Sequence, residues 1–212
     1  MTKERMTVLE ALSVLKVADK KQMNAVKNMT LIGTKRNSAI KVDGVSKEEF
    51  AETARAGFNS AMDLTRRIIE LKKAVHRFNA KTEIEVAGEK MTVASAIWMK
   101  DYGLALKRNL LMEMYAQLQD AEAMLSEENG EKLDAAAERH AKVNFEGDAK
   151  SDKSRYLEFL DDFKEKNQHV LVDPLGLSKQ IDKLDEEIAK FEAEVDSKIQ
   201  IANATNEIEI EY

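Results

Sequence analysis

Between Phe50 and Phe78 the residues Phe50, Ala54, Gly57, Ala61, Leu64, Ile68, Leu71, Val75 and Phe78 recur at intervals of four and three. Only an α-helix brings such a series onto one face, and four heptads of it make a rod about 45 Å long. A rod with one apolar stripe must bury it, against helices of its own chain or of a second copy. The spacing returns in Leu177, Ile181, Leu184, Ile188, Phe191, Val195 and Ile199. It appears again in Val93, Ile97, Leu104, Leu111, Met114, Leu118, Ala121 and Leu125, interrupted by Lys100 and Lys107. Lysines snorkel towards water, so this third seam is expected to end or fray at them.

Composition agrees with a few long helices. The 212 residues include eight Gly and one Pro, too few for a β-sandwich that turns every few residues. A hydrophobic share of 43% suffices for a core. The expected fold is mainly α: long antiparallel helices, as a bundle or coiled-coil hairpins, with small β-hairpins or a small sheet at the helix junctions. The expected division is a helical part over 1–143 with two hairpins, a polar linker over 144–154, and C-terminal helices and a strand over 155–212 that pack back on the first part as one integrated domain.

Local signals punctuate the rods. Thr7 and Glu10 form a capping box opening a first helix that fades near Asn28, with Val8, Leu9, Leu12, Leu15, Met23 and Val26 as its stripe. Met29–Gly33 and Ala39–Gly44 flank the basic loop 34–38 and read as a hairpin that Asp43-Gly44 leads the chain out of. Ser46 and Glu49 cap the long rod, and Gly57 within its seam permits a partner helix to come close. Alternating residues over 81–86, a turn at 87–89 and a return over 90–92 predict a second hairpin, after which Thr92 caps the third helix. Asn129-Gly130 either stops that helix or kinks it on to about Val143. A short helix then turns Tyr156, Phe159, Leu160 and Phe163 inward, 169–172 reads as extended, and Asp173-Pro174 reads as a helix start.

One octapeptide occurs twice. Asn79-Ala-Lys-Thr-Glu-Ile-Glu-Val86 and Asn203-Ala-Thr-Asn-Glu-Ile-Glu-Ile210 share five of eight residues, 124 positions apart, each after a heptad helix. The pattern reads as a reused helix-to-strand junction, in which Asn79 and Asn203 end the helices in the left-handed conformation Asn tolerates. Ile84 and Val86, and Ile208 and Ile210, then bury one strand face. The two strands pair with each other within the chain, pair between subunits, or merely stop two helices alike; direct pairing sets Glu opposite Glu.

Chemistry-bearing patterns are sparse. Cys is absent, which excludes disulfides, thiolate metal sites and Cys nucleophiles. His76, His140 and His169 lack ligand spacing, and no phosphate-binding or dinucleotide motif occurs. No catalytic, cofactor or metal residues are expected. The net charge of −6 argues against a nucleic-acid partner, and no apolar run is long enough to span a membrane. No secretory signal is read at the N-terminus. The charge is uneven: residues 1–41 hold nine Lys/Arg against three Asp/Glu, and residues 174–212 hold four against ten, so that the two ends attract or simply form two solvated faces. Lys35, Arg36 and Lys41 form a candidate interaction loop. Trp98 is an interface anchor or a packed core residue.

Thr7–Leu12 with Asp19-Lys20, Asn79–Gly88, Met91–Ile97, Val172–Leu175 and Asn203–Ile210 together resemble a family of phage and prophage proteins, some described loosely as tail or tail-fibre proteins. The middle pattern is also similar to a bacterial family labelled septicolysin-like. The resemblance spans most of the chain and implies a shared fold and a viral origin, located in the host cytoplasm or the virion. It carries no functional residues. The resulting expectation is a non-enzymatic phage structural or virion-associated protein that assembles through helices and strands, as a homo-oligomer or with another phage or host protein. The alternative is a phage-encoded inhibitor that captures a host defence protein or a small signalling molecule.

Overall fold

The computed structural model describes residues 2–145 and 153–212. The chain is mainly helical, with three two-stranded antiparallel sheets among the described residues. In order it forms β1 (Lys3–Thr7), α1 (Val8–Asn28), β2 (Lys41–Val42), β3 (Val45–Ser46), α2 (Lys47–Lys81), β4 (Glu83–Val86), β5 (Glu89–Thr92) and α3 (Val93–Trp98). A π-turn, Met99–Gly103, leads into α4 (Leu104–Glu127), and a second, Glu128–Lys132, into α5 (Leu133–Asn144). Then come α6 (Lys153–Asn167), α7 (Leu177–Thr205) and β6 (Glu207–Glu211). The sheets pair β1 with β6, β2 with β3 and β4 with β5. Two compact units result: Met1–Tyr102 with Lys190–Tyr212, and Gly103–Ala189. That division does not follow the linker expected over 144–154, most of which lies outside the described residues.

In the first unit the heptad rod is α2. All nine seam residues are buried or half-buried, with Leu71 wholly buried. Helix α1 lies antiparallel on it: Gln22 Nε2 donates to Thr65 Oγ1 at 3.3 Å, and Lys72 pairs with Asp19 at 3.1 Å. A Cβ added to Gly57 would lie 3.4 Å from Met29 Cβ, so α1's end is the close neighbour there.

The stripe expected on α1 needs correction. Val8 is buried and Leu15 half-buried, but Leu9, Leu12, Met23 and Val26 are exposed. The helix instead buries Ala11 and Ala18, with Val14 beside them. Small side chains let two helix backbones approach, and the leucines are left on another face.

The first hairpin is also shifted. Residues 29–36 form no strand; the paired strands are β2 and β3, in register Lys41↔Ser46 and Val42↔Val45. Asp43 and Gly44 have φ of 47° and 89° and form the turn itself rather than the exit. Two consecutive positive φ values fit the twist of a two-residue hairpin, the strongest use of Asp-Gly.

The seam through α3 and α4 does not end at its lysines. Lys100 pairs with Asp196 of α7 at 2.5 Å in the first unit, and Lys107 pairs with Glu187 of α7 in the second. Leu104 and Leu111 are buried around Lys107, as are Ile181 and Ile188 of α7. At Asn129-Gly130 the helix kinks and continues: Gly130 has a non-helical ψ of −127°, and α5 follows. Tyr156, Phe159, Leu160 and Phe163 are half-buried as expected. Phe163 stacks on His140 at 4.8 Å, and Phe145 meets Tyr156 and Phe159 edge-on.

Before α7, residues 168–173 pair in no strand, and Asn129 holds His169, through its side-chain oxygen on the His169 N–H (2.7 Å) and its amide on the His169 carbonyl (2.8 Å). One local expectation fails there. The helix starts at Leu177 rather than Pro174, because Gly176 takes a left-handed φ of 64° between them. Asp173 still acts as the cap, accepting from the N–H of Leu175 and of Leu177 at 3.1 and 2.6 Å.

Leu71→Ala is expected to lose about 2–5 kcal/mol in chemical denaturation, since it opens a cavity at the wholly buried position of the seam. Ala11→Leu should cost about 1–3 kcal/mol by overpacking the alanine face; a neutral result there would contradict the packing of α1.

Candidate functional site

The duplicated octapeptide marks a structural unit larger than eight residues. Its first copy runs from the end of α2 through β4 and β5 into α3. At Thr82 the chain leaves the helix in extended conformation, φ −81° and ψ 123°, while its N–H still donates to Phe78 O at 2.9 Å. The Thr82 carbonyl then accepts from the N–H of Val93, the first residue of α3, at 2.9 Å. Strands β4 and β5 pair as Glu83↔Thr92, Ile84↔Met91, Glu85↔Lys90 and Val86↔Glu89. Thr92 Oγ1 accepts from the N–H of Ser95 at 3.1 Å and caps α3.

The second copy repeats these relations using the two ends of the chain. Asn206 N–H donates to Ala202 O at 3.2 Å, and Asn206 O accepts from Val8 N–H at 3.0 Å. Strands β6 and β1 pair as Glu207↔Thr7, Ile208↔Met6, Glu209↔Arg5 and Ile210↔Glu4, a residue-by-residue match to the first copy. Thr7 Oγ1 accepts from Glu10 N–H at 3.2 Å, and Glu10 returns a bond to Thr7 N–H at 2.8 Å, completing the expected capping box. Where the first copy has the two-residue turn Ala87-Gly88 (φ 53° and 85°), the second has the chain termini. Thr2 and Tyr212 exchange backbone hydrogen bonds there, at 2.8 and 3.1 Å.

Several expectations are thereby settled or corrected. The two octapeptide strands do not pair with each other; each pairs with the strand that leads into a Thr-capped helix. Each pairing sets opposite charges across from one another, Glu85 with Lys90 and Glu209 with Arg5, where direct pairing would have set Glu against Glu. Neither Asn79 nor Asn203 ends its helix: both lie inside, and among the described non-glycine residues only Asp43 and Ala87 have positive φ. Each helix runs two residues further, to Lys81 and to Thr205, and unwinds into extended backbone. Val86, Ile208 and Ile210 are buried and Ile84 is half-buried, so the alternation faces as expected. One core holds both copies: Val93 and Phe78 of the first cluster with Val8, Ala202, Ile208 and Ile210 of the second. Asn203 is buried there, and its side-chain oxygen has no hydrogen-bond partner.

A latch closes the second copy. Arg67 of α2 donates to Glu4 Oε2 through Nε (3.2 Å) and Nη2 (2.9 Å), and the Tyr212 hydroxyl donates to Glu4 Oε1 at 2.6 Å. Burial pushes the Glu4 carboxyl up, but the Tyr212 hydroxyl and the Arg67 guanidinium outweigh it and hold the carboxyl below its usual range. The same bond to Glu4 raises the Tyr212 phenol. Sequence reasoning missed all three residues. The only available signal was Tyr212 at the end of an alternating strand, and nothing local shows that residue 4 lies beside it.

Beside the junction runs a groove of about 270 Å³, lined by Ala74, Arg77, Phe78, Lys81, Thr82, Glu207, Ile208 and Glu209. In the second unit a crevice of about 240 Å³ lies between Gln117, Leu118 and Ala121 of α4 and the 171–177 segment. Lys35 and Arg36 lie apart in sequence and element from the junction, in the irregular segment before β2, and Lys41 lies on β2; all three are exposed. Lys35 Nζ folds back on the carbonyls of Arg36 and Asn37, both at 3.4 Å. Among the described residues no group of three His, Asp or Glu could hold a metal ion. No described helix is long and apolar enough to cross a membrane. Trp98 is 52% exposed, on α3.

The latch predicts an acid limb in stability. A carboxyl whose folded pKa is depressed contributes stability that is fully present above its unfolded value of about 4.3 and is lost as pH falls through the folded value. Thermal melts between pH 7 and pH 3 should therefore show a shallower acid decline for Glu4→Gln than for the native chain; equal slopes would contradict the latch. Comparison with family models, with curated proteins and with solved structures finds no match to this chain.

Proposed function

We propose that this chain is a non-enzymatic phage structural or virion-associated protein that assembles, with itself or with other phage or host proteins, through helix faces and strand contacts. The observation that carries the reading is the large apolar surface left on helices whose own seams are already filled. On α4, Leu104 and Leu111 are buried, while Leu106, Leu110 and Met124 stand on the opposite face, each more than half exposed. Trp98 adds an exposed aromatic of the kind that anchors interfaces. Large apolar side chains exposed on a helix face apart from its filled seam are candidate contacts with other molecules. The particle as its setting is part of the proposal and is taken from the motif resemblance alone.

A second reading, capture of a host protein or a small signalling molecule, draws on the segment before β2. There Ile32 and Ile40 are more than four-fifths exposed beside the cations Lys35, Arg36 and Lys41.

Two measurements test the first reading. Light scattering of the purified chain should give a mass above the 23.9 kDa protomer, and mass spectrometry of purified particles should find the chain among their constituents. A strict monomer at high concentration, absent from particles, would overturn it.

A further inference from the structure

Helix α1 carries two stripes. One is the alanine face buried on α2. The other runs Leu9, Leu12, Lys16, Asp19, Met23, Val26, at intervals of three and four, and every member is exposed. Residues three and four apart are neighbours on a helix face, so this is a heptad seam about 26 Å long that faces solvent.

Its order is apolar, apolar, cation, anion, apolar, apolar. Laid antiparallel on a copy of itself, the stripe sets Leu9 against Val26, Leu12 against Met23 and Lys16 against Asp19, each contact made twice about a two-fold axis. A parallel alignment instead sets Lys16 on Lys16 and Asp19 on Asp19. An unrelated apolar helix would supply no counter-charge to Lys16 and none beyond Lys72 to Asp19, which is costly; a second copy of this chain supplies one to each. Asp19 already meets Lys72 at 3.1 Å within the chain, and a carboxylate has acceptor sites for two cations.

We propose that α1 is the docking surface for a second copy of this chain, joined antiparallel through this self-complementary seam. The proposal rests on the assembly reading above and gives it a specific contact. An isologous contact of this kind closes as a two-fold dimer.

The chain contains no cysteine, so introduced thiols report the register directly. Full-length Leu12→Cys and Met23→Cys proteins are oxidised mildly, separately and mixed. The mixture should give a disulfide-linked dimer containing both chains. Each alone should give little, because equal positions of an antiparallel pair lie about 16 Å apart, beyond the reach of about 7 Å between bridged Cα atoms. Sedimentation provides the second readout. Lys16→Asp and Asp19→Lys, each alone, should weaken dimerisation at least about tenfold by opposing like charges. The two substitutions together should restore it, with circular dichroism melts confirming the fold of each variant. Cross-linking of each variant with itself as readily as in the mixture, or charge variants that dimerise like the native chain, would overturn the seam. A native mass above the protomer with no mixed cross-link would overturn the seam while leaving assembly standing. A monomer at all concentrations would overturn the seam, and together with absence of the chain from particles it would overturn the assembly reading as well.

Discussion

Two backbone hydrogen bonds organise the first unit: Val93 N–H to Thr82 O, and Val8 N–H to Asn206 O. Each satisfies the first amide of a helix, one of the orphan donors every helix start exposes. Each uses a carbonyl freed where another helix unwinds into a strand. Buried backbone groups must find partners, and here one junction's loss is the other element's gain. The arrangement fixes where α2 ends, where α3 begins and how the strands between them register. The same geometry, assembled from the chain's two ends, fixes α7 and α1. The core clusters around these bonds, with Val8, Val93 and Leu71 wholly buried.

Charges are placed so that the long seams can continue through polar positions. Lys100, in the π-turn after α3, and Lys107 of α4 fall in the apolar register, yet each reaches a carboxylate of α7. Both side chains stay partly in water, as lysines at the edge of an apolar seam do. On β1, Glu4 is held from two sides by Arg67 and Tyr212, and Arg5 pairs with Glu207 at 2.5 Å. Exposed pairs of this kind contribute little stability individually. Their value lies in register, since a slip of one residue would bring like charges together and turn Ile208 and Ile210 outward.

Much of this fold was legible because long-range packing and local pattern agree. The seams of α2 and α7, the caps at Thr7, Ser46 and Thr92, and the hairpin after α2 rest on periodicity and side-chain–backbone bonding within a few residues. The failures have a common physical origin. On α1, periodicity highlighted large side chains, but close approach to α2 selected the alanines. At Asn79 and Asn203, residue preference suggested a left-handed stop, whereas the backbone unwinds after them into strands. At Pro174, local helix-start signals were overridden by the left-handed Gly176. The repeated octapeptide exposed the existence of a junction but not its partner. The matching strand β1 shares only short stretches with β5, around Met6-Thr7-Val8 and Met91-Thr92-Val93, and its pairing spans nearly the whole chain. Long-range pairing of this kind leaves no local periodicity, so Glu4, Arg67 and Tyr212 were not predicted to meet.

The central claim is that the chain ends form a junction equivalent to the internal one and belong to the same core. Native-state amide hydrogen exchange tests it directly, since protection separates core structure from fraying termini. The account predicts that the amides of Val8 and Val93 exchange together, on the slowest timescale of the first unit. Exchange of Val8 at the rate of a fraying end, with Val93 still protected, would contradict it.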